Sequence, residues 1–217
     1  MSNDKAHGKA SIPVAKLRTW GAWASASIRP GKPTGVGVRP WEEVVPRYRN
    51  AVGNRDPETY EQVLDQFAVE SNRRYRKDRA GRGETYCNIF VWDVTRAMGA
   101  EIPHWVNVEG TRTRVHRGLE TTANDAIGWL RLHGAATGWH EVDAVIAQRY
   151  ANHGSPTVAA LHLPEGIGHL AMVRPGSLDE RGPYLTQAGE RNSCAIRAAE
   201  AFGTAWTAGA VTFFVHD

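Results

Sequence analysis

The chain has 217 residues, 41% of them hydrophobic, enough for one good core and a small appendage but not for two large domains. Its net charge of +3, with a pI of about 9.0, favours contact with an anionic surface. No helix-turn-helix, zinc-finger or RNP-type motif accompanies that charge, which argues against nucleic acid as the partner, and no apolar run reaches the ~18 residues that a membrane span needs.

The first forty residues hold seven Lys/Arg against one acid, Asp4, and Gly and Pro cluster from Pro30 to Pro40. Residues 1–55 therefore read as a basic, Gly/Pro-rich, extended arm. Trp20 and Trp23 within it give a rationale for surface contact with a wall or membrane, against the plainer reading of a solvated tail. Trp41 and Val44-Val45 are candidates to anchor the arm to the body. Lys5, Lys9, Lys16 and Arg18 interrupt any apolar leader, so the expectation is synthesis in the cytoplasm without a secretory signal.

The body is expected over 56–217. Asp56-Pro57 reads as an N-cap followed by proline at the first helical position, opening a helix to about Asn72 with Tyr60, Val63, Leu64, Phe67 and Ala68 on one face. A charged stretch with Gly81 and Gly83 follows as a loop. The run Asn88 to Met98 has helical spacing and a stop at Gly99, and one of its faces is core.

Cys87 stands at the first turn of that helix, where unpaired N–H groups and the helix dipole lower a thiol pKa and supply oxyanion donors. The ordinary alternative is a small buried residue, since free cysteine is among the most buried types. The glycine-bearing loop before it favours an accessible position.

Beyond Gly99, Asn124-Asp125 is expected to cap a helix, and a second helix is expected from His140 to about Ala151, closed by Asn152-His153-Gly154. Strands follow at Thr157 to Leu163, His169 to Arg174, Tyr184 to Ala188 and Val211 to Val215. Helices first and an antiparallel sheet after them predict an α+β domain.

His169 opens one of these strands, where a histidine can reach a thiol on a neighbouring helix as general base. A third group on the next strand, in register with it, would orient the imidazole. Gln187 is the choice, because its carbonyl can accept from the ring N–H; Asn192 and Glu190 are rivals, and a solvent-facing strand residue is the ordinary alternative. His104 and Trp105 either line the cleft as an aromatic platform or cover the end of the cysteine helix.

At these residues the chain resembles the CHAP/NlpC branch of the papain-like cysteine peptidases, from about Tyr60 onward. The likeness rests on Thr85-Tyr86-Cys87-Asn88 and the helix after it, on Glu101 to Trp105, on Ala147 to Gly154, on Gly168-His169, and on Gln187-Ala188-Gly189 with Asn192. It implies a papain-like (NlpC/CHAP-like) fold with N-terminal helices on a small antiparallel sheet. It further implies a monomeric cysteine amidase or endopeptidase acting on bacterial peptidoglycan, of the kind found in phage endolysins and secreted antibacterial amidases. Cys87 would be the nucleophile, His169 the base and Gln187 the orienting group, with Tyr86, His104, Trp105 and Asn192 toward substrate. Such an enzyme would reach the wall after lysis or by a specialised secretion machine.

No cofactor is expected. The chain has no D-x-D calcium loop before the cysteine, and His133, His140, His153, His162 and His169 carry no H-E-x-x-H or C-x-x-C spacing for zinc. Cys194, in Asn192-Ser193-Cys194-Ala195, is the rival nucleophile, in a string similar to the cysteine motif of one class of type VI secretion amidase effectors. Only His216 follows it. The readings from other classes are a wall-binding or phage-structural module with a vestigial thiol, and a papain-like protease or deamidase acting on protein.

Overall fold

A computed structural model describes residues 32–78 and 81–217. The first half of the basic arm, with Trp20 and Trp23, lies outside the described residues. Its second half packs on the body: Val44 is buried, and Asn50 donates to the carbonyls of Asp56 (3.0 Å) and Gly154 (2.9 Å).

Helix α1 spans Pro57–Asp65 and begins as the sequence expects, with the Asp56 carboxylate accepting from Thr59 N–H. It ends about two turns earlier than expected. Gln66, at its C-cap, is buried and spends its amide on loop backbone, accepting from Arg47 N–H (2.7 Å) and Tyr48 N–H (3.0 Å) and donating to Tyr48 O (3.0 Å). Ala68 then takes a positive φ of 44°, which breaks the helical path. Asn72 caps a short 3₁₀ turn, Arg73–Tyr75.

Helix α2, Cys87–Ala97, is the core helix. Ile89, Phe90, Val91, Trp92, Val94 and Ala97 are buried, and so are Asp93 and Thr95, so the helix is enclosed on more than the single face expected. Thr95 answers its burial by donating to Val91 O (2.8 Å), and Asp93 by pairing with Arg74 and Tyr75. A short hairpin follows, β1 (Trp105–Val106) with β2 (Leu119–Glu120). Helix α3, Ala123–His133, is capped two positions before the expected Asn124, by a Thr122/Asp125 capping box.

The segment expected as one helix from His140 divides at Asp143. Trp139–Val142 forms strand β3, and Asp143 caps α4, Ala144–Ala151, by accepting from Ile146 N–H (2.8 Å). Strands β4 (Thr157–Leu161), β5 (His169–Val173) and β6 (Tyr184–Gln187) follow where expected. Ser193–Arg197 adds a strand that was not foreseen, β7, and after helices α5 (Ala198–Phe202) and α6 (Thr204–Thr207) the chain returns as β8, Thr212–His216.

These strands form one antiparallel sheet in the order β3-β8-β4-β5-β6-β7, larger than the small sheet anticipated, beside the two-stranded hairpin. The arrangement is mixed helix and antiparallel sheet, compatible with an α+β chain. Strand β4 is buried at every position, and α2 packs against the adjacent β5. The N-terminus of α2 and the N-terminus of β5 thereby meet, which is what positions the site. Among the described residues, no helix is long and apolar enough to cross a membrane.

Candidate active site

Cys87 is the first residue of α2. The three other helices of eight or more residues each have a side-chain cap, from Asp56, Thr122 and Asp143, whereas Tyr86 at the N-cap of α2 makes no side-chain cap bond. The first intrahelical bond is Phe90 N–H to Tyr86 O (3.0 Å), so the N–H groups of Cys87, Asn88 and Ile89 precede the helix's own ladder.

The ionisation of the Cys87 thiol is governed by the neighbouring His169 imidazole and by the backbone N–H groups of Leu170 and Asn88. Burial alone would raise its pKa. The bond to His169, the charge of that ring and the two N–H groups together bring the thiol below its ordinary range. Burial likewise pulls His169 down, but its interactions with Cys87 and Gln187 hold the imidazole above its usual value. The two shifts favour a thiolate–imidazolium pair.

Gln187 completes the series. His169 Nε2 donates to Gln187 Oε1 at 2.8 Å, which leaves Nδ1 to face the thiol. Gln187 Nε2 donates to Arg191 O (3.0 Å), so the amide is held with its oxygen toward the ring. Gln187 is buried and is not the solvent-facing strand residue of the alternative reading.

The β5–β6 ladder pairs Met172 with Thr186 and Val173 with Leu185; Gln187 stands at the end of β6, beyond those pairs, and its side chain reaches the ring from there. A Cβ on Gly189 would stand 2.9 Å from His169 Cε1, so the ring lies over a position that only glycine leaves open. On another side Phe202, at the end of α5, meets the imidazole with centroids 5.5 Å apart and planes inclined at 62°.

The thiol is less open than the flanking glycines suggest. Cys87 is only 2% exposed, although residues 81–83 before it are exposed. Asn88 ties the helix start to the hairpin by donating to Thr121 O (2.7 Å). Asn124, beside it on α3, donates to Leu163 O (2.7 Å) and Gly166 O (2.9 Å) and so shapes the turn that delivers His169. Gly168 in that turn has φ +64°, and a Cβ there would fall 2.2 Å from Asn124 Oδ1.

The residues expected toward substrate divide. Tyr86 adjoins Cys87, partly buried, with its hydroxyl donating to Glu84 (3.1 Å). His104 and Trp105 are buried. His104 stacks on Trp92 of α2 at 5.0 Å and bonds Glu120 through Nε2 at 2.9 Å, while Trp105 donates to Trp41 O (3.2 Å). His104 thus lies against the flank of α2 at Trp92, and Trp105 packs on His104 and His116. Asn192 is a clamp: its amide donates to Val69 O (3.0 Å) and Tyr75 O (2.9 Å) and accepts from Gly189 N–H (3.0 Å), which occupies it fully.

The rival cysteine has no such setting. Cys194 is exposed on β7, and burial of its thiol together with the Glu70 carboxylate pushes it up, away from the thiolate form. Among the described residues, no group of three or more His, Cys, Asp and Glu side chains is placed to hold a metal ion.

The chain matches no protein-family model and no curated protein. What can be said of its chemistry rests on the residues just described. A thiol with lowered pKa, a base in contact with it, an amide orienting that base and a set of free helix N–H groups suffice for acyl transfer from an amide to water.

Three contributors to the site escaped the sequence reading. Gly189 entered only among the residues that carry the family resemblance, Asn124 only as a helix cap, and Phe202 not at all. Each acts through a contact distant along the chain.

Proposed function

We propose that the chain is a cysteine amide hydrolase of papain-like layout that acts on bacterial peptidoglycan. The observation that carries the chemistry is the placement of Cys87, at the uncapped start of α2, beside His169, whose ring is bonded to Gln187 at 2.8 Å. The papain-like layout is supported by the order of parts: a cysteine helix, then a sheet with the histidine on one strand and its orienting amide on the next. The wall substrate is supported by the local resemblance around Thr85 to Asn88 and Gly168-His169.

In this reading the Cys87 thiolate adds to the amide carbonyl, and first-turn N–H groups of α2 take the negative charge that forms on oxygen. His169 gives its proton to the departing amine as the C–N bond breaks, leaving a thioester. The neutral imidazole then takes a proton from water, whose oxygen attacks the thioester and frees the acid, and expulsion of the Cys87 thiolate restores the thiolate–imidazolium pair. Gln187 keeps the ring in one tautomer and orientation throughout.

Purified peptidoglycan treated with wild type and with Cys87→Ala, the products identified by mass spectrometry, tests this. New fragments from wild type alone are expected, with a loss in the variant on the order of 10⁴-fold or more. Equal fragments from both would remove Cys87 from the chemistry, and fragments from neither would remove the wall as substrate.

A further inference from the structure

A 3₁₀ turn carries three residues per turn, so positions i and i+3 stand on one side of it. The turn Arg73–Tyr75 obeys this. Arg74 and Tyr75 turn inward to Asp93, while Arg73 and Arg76 stay exposed and line the same cavity, of about 470 Å³. Glu70, Lys77, Gly189 and Glu190 line it too.

The two carboxylates are already engaged. Glu190 pairs with Lys77, and Glu70 accepts the Cys194 N–H at 2.9 Å while keeping its charge, so three cations against two anions leave the lining of the cavity at +1. Neither Arg73 nor Arg76 has an acidic partner among the described residues. Two unneutralised guanidiniums on one wall repel each other, and a bound anion removes that repulsion. Their planar forks match a carboxylate. The cavity shares Gly189 with the reaction centre, because that glycine lies against His169.

We infer that this cavity is an anion-binding subsite that takes a carboxylate of the substrate beside His169. The inference rests on the hydrolase reading and adds to it a substrate class: amides that carry a free carboxylate near the bond to be cut. The Arg73 and Arg76 guanidiniums hold the carboxylate, and Asn192 fixes the loop that forms the opposite wall through its bond from Gly189.

The test uses the full chain and three small probes, succinate, its neutral analogue succinamide, and inorganic phosphate, with backbone amide shifts of Gly189 and Arg76 followed by NMR. Saturable shifts with succinate are expected, none with succinamide, and at least a tenfold weaker response in Arg73→Gln/Arg76→Gln. No saturation with succinate, or an equal response in the double variant, overturns the subsite. Tighter binding of phosphate than of succinate overturns the carboxylate as its ligand. These readouts need no hydrolysis, so intact succinate binding with no wall digestion would sink the hydrolase reading alone. Where hydrolysis is seen, the double variant should raise KM for fragments with a free carboxylate and leave KM for amidated fragments unchanged.

Discussion

Gly189 lies against Cε1 of His169 so closely that one methyl group would displace the ring: the added Cβ would be 2.9 Å from Cε1. Gly189 does not have a positive φ, so its backbone accepts alanine without strain. Gly189→Ala therefore acts on the imidazole and little else. A shift of about 1 Å in a reacting group can cost ~10²-fold in rate. Hydrolysis by Gly189→Ala is expected to fall by that order while the midpoint of denaturation stays near wild type; a fully active variant would show that the ring has room to spare.

The two cysteines should part company with pH. Cys87 is held below the ordinary thiol range, so its reactive thiolate persists as pH falls; Cys194 is pushed above it, so its thiolate forms only on the alkaline side. Iodoacetamide labelling followed by peptide mass spectrometry should modify Cys87 at pH values where Cys194 remains untouched. Because Cys87 is 2% exposed, a bulky disulfide reagent should lag behind iodoacetamide at this site and not at Cys194. Parallel labelling of both thiols across pH would contradict the assignment of roles.

Gln187 sets the other limb of the profile. Its bond to His169 helps to keep the imidazole above its usual pKa, so the imidazolium that protonates the leaving amine survives to higher pH. In Gln187→Ala that support is gone, and the alkaline limb of kcat against pH should move to lower pH. Gln187→Glu should move it up, since a carboxylate stabilises the charged ring further. A limb unmoved in both variants would mean that His169 is not the group titrating there.

The parts of this site visible in the sequence were those announced by local punctuation. Gly81 and Gly83 before Cys87, and the Pro164 to Gly168 turn before His169, mark where a helix and a strand begin, and the polar turn from Ser177 to Gly182 marks off the next strand and Gln187 with it. What stayed hidden depends on contacts between distant segments. Asn192 looked available to substrate, but its amide is consumed by Val69, Tyr75 and Gly189. Asp143 interrupts an otherwise helical pattern because Trp139–Val142 finds a partner in β8, more than seventy positions later along the chain. β7 was masked by the resemblance of its cysteine to a catalytic string, and Arg74 and Asp93 are nineteen residues apart with nothing local to join them.

That last pair holds α2, and with it Cys87, in place. Arg74 Nε meets Asp93 Oδ2 at 2.6 Å and Nη2 meets Oδ1 at 3.0 Å, Tyr75 adds its hydroxyl at 2.7 Å, and both charged side chains are fully buried. Arg74 also donates to the carbonyls of Arg39 and Glu42, which binds the 32–55 segment to α2. Breaking a buried pair by removing one partner leaves a charge without compensation and typically costs about 3–5 kcal/mol. Asp93→Ala is expected to lose that much in a denaturant titration, because Arg74 keeps its charge and loses its carboxylate. Replacing both, as in Arg74→Met/Asp93→Leu, should be milder than Asp93→Ala alone, since no orphaned charge remains. If Asp93→Ala unfolds within about 1 kcal/mol of wild type, the pair does not anchor α2, and the position of Cys87 must depend on the apolar packing of Phe90 against Phe67 and Tyr75.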